Sequence, residues 1–499
     1  MAHRDLTTQL ISRRAVLLGS LGLAGSAALG ACTSSTTGSG QPSSVGSTAP
    51  ATASPGQKVV TKTLTAKPVT LDLGGPTVRT WAYANQVPGP VLRATAGDLL
   101  RVTLDNQLPA DTTIHWHGIR LRNAADGVPG VTQDPVRPGT TFVYEFTAPD
   151  PGTYFFHPHV GVQLDRGLYA PMVIDDPREP GQYDAEWILV LDDWVDGTGR
   201  TPDEVLQQLV ADGGTTGGGM GAMGHGSMGG MSMGPAPWGD AGDVTYPHFL
   251  LNGKVPTAPD VLVVRPGRRV RLRIINAASD TIFTVALAGH QMTVTHSDGY
   301  AVQPQQVPAL YVGMGERYDA TVTLTDGVFP FVAVPFGKQG TPARALVRTG
   351  AGTPPSPDAV PAELRGDVLT GSRLVPAEVS RLPPKPADVT ANVTLQGSMQ
   401  PYQWGINGAS FGKNQPLTVR AGQRSRLNLA NMTMMAHPVH LHGHTFALPS
   451  GLRKDTVLLA PMQSLPIDLD ADNTGDWVIH CHNAYHAEAG MMIALNYRA

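Results

Sequence analysis

Apolar and polar residues alternate with a period of two along three segments of the chain that can be laid over one another. In each segment a glycine comes before the alternation, and an asparagine ends it nine residues after the glycine. Period-two alternation after a glycine turn predicts a half-buried β-strand. The paired positions are Gly97 and Asn106, Gly267 and Asn276, and Gly422 and Asn431, preceded in the same order by Asn85, Asn252 and Asn407.

Recurrence of this pattern at domain-sized spacing predicts three related β-domains. We place the domains at residues 58–180, 181–345 and 386–499, with a proline-rich linker at 346–385. Helical signals are few. The expected helix runs through Val205 to Ala211 after the capping sequence Thr201-Pro202-Asp203-Glu204.

The composition supports an all-β fold and argues against a nucleic-acid-binding function. The 499 residues include 57 glycines and 43 prolines, which fits many turns joining short strands. Charged residues make up 15% of the chain, and the formal net charge is −4. A nucleic-acid partner is therefore not expected, because such proteins carry a basic excess.

The N-terminus resembles a targeting segment. Residues 1–32 place Arg13 and Arg14 before an apolar run that ends at Leu29-Gly30-Ala31-Cys32. This pattern indicates twin-arginine export followed by lipid attachment at Cys32, which would hold the protein at the outer face of the cell membrane or in the periplasmic space. An uncleaved membrane anchor is the alternative. Residues 33–57 are rich in Ser, Thr, Gly and Pro and have the composition of a flexible tether.

If Cys32 carries lipid, Cys481 is the only thiol left, so no internal disulfide is expected. Histidines surround it in the chain, and similar clusters occur elsewhere. A single His-X-His pair is weak evidence, because residues i and i+2 of any strand share a face. Four clusters together are a strong signal for metal binding. They contain His115, His117, His157, His159, His437, His440, His442, His480, His482 and His486.

The ligand types around Cys481 indicate copper. Two histidines, one thiolate and a weak axial methionine define a blue-copper electron-transfer site. Cys481, His486 and Met491 lie within one short segment, and His437 is the candidate for the second histidine. Zinc is the rival metal, but a structural zinc site is closed by four Cys or His ligands, and methionine is not a usual one.

The combined motifs resemble those of the multicopper oxidases, the family that includes laccases, ascorbate oxidase and bacterial cuprous oxidases. Besides the histidine clusters, the resemblance includes Gly152-Thr153-Tyr154-Phe155-Phe156-His157, the stretch from Gly167 to Pro171, and Lys454-Asp455-Thr456-Val457. It covers the whole chain after the tether. It implies three cupredoxin-like Greek-key β-sandwich domains, a trinuclear copper centre between the first and third, and a second domain that acts as a spacer.

The resemblance also implies a ligand set for four copper ions. His115 and His440 would bind the type 2 copper, and His437, Cys481, His486 and Met491 the type 1 copper. His117, His157, His159, His442, His480 and His482 would bind the type 3 pair. Electrons from a reductant would pass through Cys481 to reduce dioxygen to water. Asp126 matches a family acidic position that would help to supply protons. Glu488 is the second candidate, although many relatives carry the acid one residue earlier, at the position of Ala487.

A methionine-rich insert at residues 213–234 suggests the reductant. It contains Met220, Met223, His225, Met228, Met231 and Met233, and soft thioethers bind Cu(I). Met434 and Met435 sit where relatives that oxidise Cu(I) carry a methionine. The leading hypothesis is an exported oxidase of Cu(I) that acts in copper detoxification. A laccase-type phenol oxidase or a ferroxidase is the enzymatic alternative, and a copper-storage protein is the non-enzymatic one.

Overall fold

The computed structural model describes residues 51–179, 183–212 and 237–498. The signal segment with Cys32, most of the tether and the methionine-rich insert lie outside these ranges. The described chain forms six sheets arranged as three two-sheet units, so the all-β prediction is confirmed. No helix among the described residues is long and apolar enough to cross a membrane.

Each unit contains two sheets, and the chain crosses between them several times, so early and late strands are interleaved in both. The first unit contains β1 (Val59–Asp72), β2 (Thr77–Tyr83), β3 (Leu92–Thr95), β4 (Leu99–Asn106), β5 (His115–His117), β6 (Thr140–Thr147), β7 (Gly152–His157) and β8 (Ala170–Asp175). Its sheets have the orders β2-β1-β4-β6 and β3-β8-β7-β5.

The second unit is the largest by strand number. It contains β9 (Ala185–Trp194), β10 (His248–Leu251), β11 (Val261–Val263), β12 (Arg269–Asn276), β13 (Phe283–Leu287), β14 (Met292–Ser297), β15 (Tyr300–Val307), β16 (Ala309–Val312), β17 (Arg317–Thr323), β18 (Val328–Pro335), β19 (Ala343–Arg348) and β20 (Val368–Leu369). Its sheets have the orders β10-β9-β12-β17-β14-β15 and β11-β19-β18-β13-β16-β20. The last strand of this second sheet therefore comes from the predicted linker.

The third unit follows the same plan. It contains β21 (Val389–Met399), β22 (Tyr402–Ile406), β23 (Leu417–Val419), β24 (Arg424–Asn431), β25 (His437–Leu441), β26 (Phe446–Ala447), β27 (Arg453–Lys454), β28 (Thr456–Leu459), β29 (Ser464–Asp470), β30 (Asp476–Cys481) and β31 (Met492–Tyr497). Its sheets have the orders β22-β21-β24-β29-β26-β27 and β23-β31-β30-β25-β28.

The asparagines of the sequence repeat make equivalent hydrogen bonds in all three units. Each ends the strand that pairs in parallel with the first strand of its unit, namely β4, β12 or β24. Its side-chain oxygen accepts from the backbone N–H two residues later, and its amide donates to backbone carbonyls. The acceptors are Ala110 and Val136 for Asn106, Thr281 and Val312 for Asn276, and Met435, Leu459 and Ala460 for Asn431. Because buried backbone groups need partners, this one side chain closes each unit at the same corner.

Helices are short, and only one was expected. Helix α1 (Pro202–Ala211) begins with a capping box in which the Thr201 hydroxyl accepts from the Glu204 N–H and the Glu204 carboxylate accepts from the Thr201 N–H. Helix α2 (Ala484–Glu488) was not predicted. The Asn483 side chain caps it by accepting from the N–H groups of Tyr485 and His486. A five-residue helix is too short to leave an apolar period in the sequence.

Strand pairing brings the histidine clusters together within each unit. In the first unit β5 pairs with β7, so that His115 lies opposite His157. In the third unit β25 pairs with β30, so that His440 lies opposite His480. The first unit has its own apolar core, whereas the second and third share a continuous one.

Candidate metal centre

Eight imidazoles from the first and third units converge on one site. Three pairs of Nε2 atoms face each other across it: His115 and His440 at 3.4 Å, His442 and His480 at 3.0 Å, and His157 and His482 at 3.3 Å. His159 comes within ligand-sharing distance of His442 and His480, and the His117 ring lies 4.7 Å from the His482 ring. The sequence-predicted histidines of these clusters are thus all brought together.

Hydrogen bonds on the outer edge hold four of these rings with Nε2 turned inward. The Nδ1 atoms of His115, His157, His440 and His480 each lie 2.8–3.0 Å from a backbone carbonyl oxygen. An imidazole whose Nδ1–H is held this way presents the lone pair of Nε2, which is the form that binds a metal.

The donor set fits copper. The buried Nδ1 atoms of His117 and His482 have no hydrogen-bond partner. Unpartnered buried polar atoms are costly, and a bound ion would satisfy them. Burial lowers the pKa of His117, His157, His159, His440, His442, His480 and His482, so these rings are neutral. Neutral imidazoles with inward lone pairs suit copper.

Asp126 links two of the imidazoles. Its Oδ1 lies 3.1 Å from Nδ1 of His115, and its Oδ2 lies 2.9 Å from Nδ1 of His442. The carboxylate is fully buried. It therefore accepts from one histidine of the first unit and one of the third, which fixes the orientation of both rings.

The second unit does more than separate the other two. Arg317 donates to both carboxylate oxygens of Asp455 at 2.6 Å, and to the carbonyl of Thr153 in the first unit. Although burial opposes ionisation, this guanidinium holds the pKa of Asp455 well below its usual range. Asp455 in turn lies 3.3 Å from Nε2 of His117. Sequence reasoning quoted Asp455 within a motif without a role, and it missed Arg317.

Gly315 shows how closely the second unit approaches the imidazoles. Its φ is 83°, and a Cβ atom there would lie 2.9 Å from the His117 ring and 3.0 Å from the His482 ring. A larger residue would displace both rings, so the turn that carries Gly315 needs glycine for backbone conformation and for space.

A second cluster forms around Cys481. Its buried Sγ lies 3.5 Å from Nδ1 of His437 and 3.7 Å from Nδ1 of His486. Met491 is also fully buried, and its carbonyl accepts from the Cys481 N–H. The Trp404 ring covers His486 at a centroid distance of 4.0 Å. A thiolate with two imidazoles in a dry site matches the donor set of a blue-copper site.

Protein groups occupy the outer nitrogens of both imidazoles in this second cluster. The Thr433 hydroxyl lies 2.7 Å from Nε2 of His437, and the Asp243 carboxylate lies 2.8 Å from Nε2 of His486. Tyr402 donates to the same carboxylate oxygen of Asp243. Although burial opposes it, Asp243 raises the pKa of His486 to about 10. Sequence reasoning missed Asp243, because nothing near residue 243 in the chain marks it as a partner of His486.

Two cavities lie against these clusters. One borders His486 and is lined by Met314, Met435, Asp240 and Asp280 among others. Met435 is buried there, whereas its neighbour Met434 is exposed. The other cavity borders His157, His159, His480 and His482, and the exposed Glu488 also lines it.

Comparison with known proteins agrees with this geometry. Multicopper oxidase family profiles match residues 64–179, 187–351 and 383–499. The multicopper oxidase MmcO of Mycobacterium tuberculosis is 47% identical over 97% of this chain and 96% of its own length. A copper resistance protein A homolog of Pseudomonas syringae pv. tomato is 28% identical over 81% of this chain and 87% of its own length.

Solved structures of multicopper oxidases also superpose on this chain. The multi-copper oxidase from Pseudomonas thermotolerans is 28% identical and superposes with a TM-score of 0.66, covering 89% of this chain and 100% of that one. The multicopper oxidase Fet3p, at 20% identity and a TM-score of 0.75, covers 88% of this chain and 90% of its own, and shares the fold. This chain therefore belongs to the multicopper oxidase family, and it is an oxidoreductase that uses copper, a reductant and dioxygen.

Proposed function

We propose that this protein oxidises Cu(I) with dioxygen as the electron acceptor and thereby detoxifies copper. The observation that carries the proposal is the cavity against His486, whose lining residues include Met314, Met435 and Asp240. Thioethers prefer Cu(I). The reaction balances as four Cu(I), one dioxygen and four protons giving four Cu(II) and two waters.

We further propose four copper ions with the ligands given by the family resemblance. His437, Cys481, His486 and Met491 would hold the type 1 ion. His115 and His440 would hold the type 2 ion, a choice supported by the 3.4 Å between their Nε2 atoms. The remaining six imidazoles, His117, His157, His159, His442, His480 and His482, would hold the type 3 pair. When bound, copper supplies one-electron transfer at the first site and dioxygen reduction at the other three ions.

The Asp243 carboxylate affects which reductants can approach His486. Because the Asp243 carboxylate accepts from the outer nitrogen of His486, a phenol oxygen cannot accept from that N–H without displacing the carboxylate. Asp243 is ionised, and its Oδ1 is buried without a partner. A cation beside His486 would satisfy that oxygen. This arrangement favours a metal-ion substrate over a neutral phenol.

Two carboxylates, Asp126 and Glu488, lie beside the imidazoles, and we give them different roles. Both oxygens of Asp126 accept from imidazole Nδ1 atoms, so we assign Asp126 to holding His115 and His442 in place. Glu488 lines the cavity that borders the type 3 histidines, and its exposed side chain can exchange protons with water. We assign Glu488 as the proton donor at this cavity. Glu488→Gln should lower the rate of dioxygen reduction and leave the anaerobic reduction of the Cys481 site unchanged.

Ferroxidase activity is the second candidate, favoured by the exposed carboxylate of Asp240 in the same cavity, since Fe(II) accepts oxygen ligands. Steady-state oxygen consumption by copper-loaded protein with Cu(I), Fe(II) and a phenol decides between the substrates. The highest kcat/KM is expected for Cu(I), and deletion of residues 213–234 should lower Cu(I) oxidation far more than phenol oxidation. Faster turnover of the phenol, unaffected by the deletion, would refute the proposal.

Export by the twin-arginine route and lipid attachment at Cys32 are part of the proposed function. They fit an enzyme that meets copper outside the cytoplasm. Labelling of cells with a fatty-acid analogue should mark the wild-type protein and leave Cys32→Ser unmarked. An unlabelled wild-type protein with an intact N-terminus would favour the uncleaved anchor instead.

A further inference from the structure

The indole of Trp404 lies against both imidazoles of the cluster around Cys481. Its centroid is 4.0 Å from that of the His486 ring, with 31° between the planes, and 5.4 Å from that of the His437 ring, with 70° between the planes. The first contact is therefore a tilted stack, and the second is edge to face. Trp404 is 3% exposed. One large buried aromatic side chain thus contacts both histidines proposed for the type 1 copper.

Gly397 makes room for this indole. Strands β21 and β22 pair antiparallel, and Gly397 lies directly opposite Trp404. A Cβ atom on Gly397 would lie 2.0 Å from Cε3 of Trp404 and 2.6 Å from its Cδ2 and Cζ3. The indole therefore lies across the backbone of β21, where a side chain would otherwise stand. The φ angle of Gly397 is outside the left-handed region, so space rather than backbone conformation calls for glycine at this position.

The backbone of Trp404 is anchored beside the segment that carries Met491. Its carbonyl oxygen accepts from the Ser410 hydroxyl at 2.9 Å. A Cβ atom on Gly490, the residue before Met491, would lie 2.9 Å from the same oxygen. Strand β22 also lies against helix α2, which carries His486. Residue 404 is thus held in place by the segments that present two of the proposed ligands.

Strand β22 holds His486 in a second way, through Tyr402. The Tyr402 hydroxyl donates to the Asp243 carboxylate at 2.7 Å, and this carboxylate accepts from Nε2 of His486 at 2.8 Å. Nε2 lies close to the axis about which an imidazole turns on its Cβ–Cγ bond, so this hydrogen bond alone tolerates rotation of the ring. A stacked face resists that rotation. The indole, rather than the carboxylate, therefore decides where Nδ1 of His486 points.

We propose that Trp404 is a positioning residue, whose indole fixes the ring plane of His486, directs its Nδ1 toward Cys481 and keeps water from that side of the bound copper. The proposal rests on the type 1 ligand set of the proposed function. Water beside the ion would favour Cu(II), which carries more charge than Cu(I), so excluding water raises the reduction potential. Trp404 therefore affects every reductant alike, whereas Asp243 distinguishes a cation from a phenol.

The orientation of the imidazole can be tested by NMR spectroscopy without turnover. The full-length protein would carry isotope-labelled histidines, and His486→Asn would identify the signals of this ring. The indole ring current should move the His486 ring protons upfield, both in copper-free protein and in reduced, copper-loaded protein, where Cu(I) is diamagnetic. Trp404→Leu should move these signals downfield, whereas Trp404→Phe, which keeps an aromatic face, should retain most of the upfield shift. Unmoved signals in Trp404→Leu would overturn the proposal.

Gly397→Ala tests the same role from a position that contacts none of the proposed ligands. The three atoms nearest to its added Cβ all belong to Trp404, so it acts through the indole. Gly397→Ala and Trp404→Leu should each lower the reduction potential of the copper that gives the visible band. Each should also lower kcat for Cu(I) and for a phenol by the same factor, several-fold, with little change in KM.

The double variant and a control glycine complete the test. Adding Gly397→Ala to Trp404→Leu should cause no further fall in the potential, because the indole is already gone. Gly366→Ala should leave the potential and both turnover rates unchanged, since a Cβ there would approach no atom closer than 3.4 Å. An additive fall in the double variant would refute the action of Gly397 through Trp404. If the copper-loaded wild type lacked the strong visible band while the His486 signals still followed Trp404, the positioning would stand and the type 1 assignment would fail.

Discussion

Asp243 offers a decisive perturbation, because its buried carboxylate accepts from the outer nitrogen of His486. Asp243→Asn keeps the shape of the side chain and an acceptor oxygen for Nε2 of His486. It removes the negative charge and leaves the Tyr402 hydroxyl with a neutral partner. Hydrogen bonds to a charged group contribute about 1.5–3 kcal/mol, roughly twice a neutral one, so a loss of about 1 kcal/mol in unfolding free energy is expected.

The charge also acts on the copper that His486 would bind. The carboxylate lies 2.8 Å from Nε2, on the far side of the ring from the Nδ1 that faces Cys481. An imidazole ring therefore separates the charge from the Nδ1 side by roughly 7 Å, where an effective dielectric constant of about 20 gives about 2 kcal/mol, or about 100 mV for a one-electron couple. Removing the negative charge would therefore raise the reduction potential of a copper ion held there by about that amount.

The change in reduction potential and the loss of a charged contact with an incoming cation would shift the rate of Cu(I) oxidation in opposite directions, so the measured rate tells them apart. A higher potential alone makes the site a better electron acceptor and would speed the oxidation of every reductant. If Asp243 also contacts the incoming cation, Asp243→Asn should slow Cu(I) oxidation about tenfold, mainly through KM, because a charged contact is lost. Phenol oxidation should hold or rise in the same protein.

The assay is oxygen consumption with Cu(I) and with a phenol, alongside a redox titration of the visible band. Tyr402→Phe is the matched control, since it removes the other hydrogen bond to Asp243 without changing charge. It should alter the Cu(I) to phenol ratio far less than Asp243→Asn does. Equal acceleration of both substrates by Asp243→Asn would show that the carboxylate sets only the potential, and would refute its role in cation entry.

Three further predictions address the site and the fold. Cys481→Ser should abolish the strong visible band and oxygen consumption with any reductant, because a serine hydroxyl is a poor copper ligand, and a variant that keeps both would disprove the assignment of Cys481. Asn431→Ala should cost about 2–4 kcal/mol in chemical denaturation by stranding buried carbonyls and an N–H, whereas Asn428→Ala, a half-buried control on the same strand, should cost under about 0.5 kcal/mol. Burial raises the pKa of Asp165 well above its ordinary value, so its contribution to stability is fully present below about pH 4 and is lost as the pH rises. Asp165→Asn, compared with the wild type by melting temperature from pH 4 to 8, should therefore gain relative stability toward pH 8, and parallel curves would contradict this.

The repeat was predictable because its asparagines act locally. Asn106 bonds groups from two to 30 residues away, and the same geometry recurs around Asn276 and Asn431. A residue whose partners lie within one small domain must recur wherever that domain recurs, so the spacing of nine from glycine to asparagine appears three times. The histidine ligands were also visible, because i and i+2 pairing on a strand is a local signal.

The sequence pattern did not reveal the groups that contact the proposed ligands from distant parts of the chain. Asp243 is 243 residues away from His486, and Arg317 is 138 residues away from Asp455. A buried carboxylate or guanidinium can pair with any complementary group that the fold delivers, so sequence spacing carries no information about its partner. The expectation that the second unit is only a spacer missed Gly315 and Arg317 for this reason.

These contacts show that the three units contribute different groups to the site. The first and third units supply imidazoles from strands β5, β7, β25 and β30, whose positions are fixed by local pairing. The second unit supplies a turn without a side chain at Gly315, a cation at Arg317, and the anion at Asp243. Of these three groups, Asp243 contacts the outer nitrogen of His486, whereas Gly315 and Arg317 support the positions of the imidazoles themselves. Changes of reductant within such a scaffold are therefore expected to accumulate around Asp243 and the cavity beside His486, rather than among the histidines.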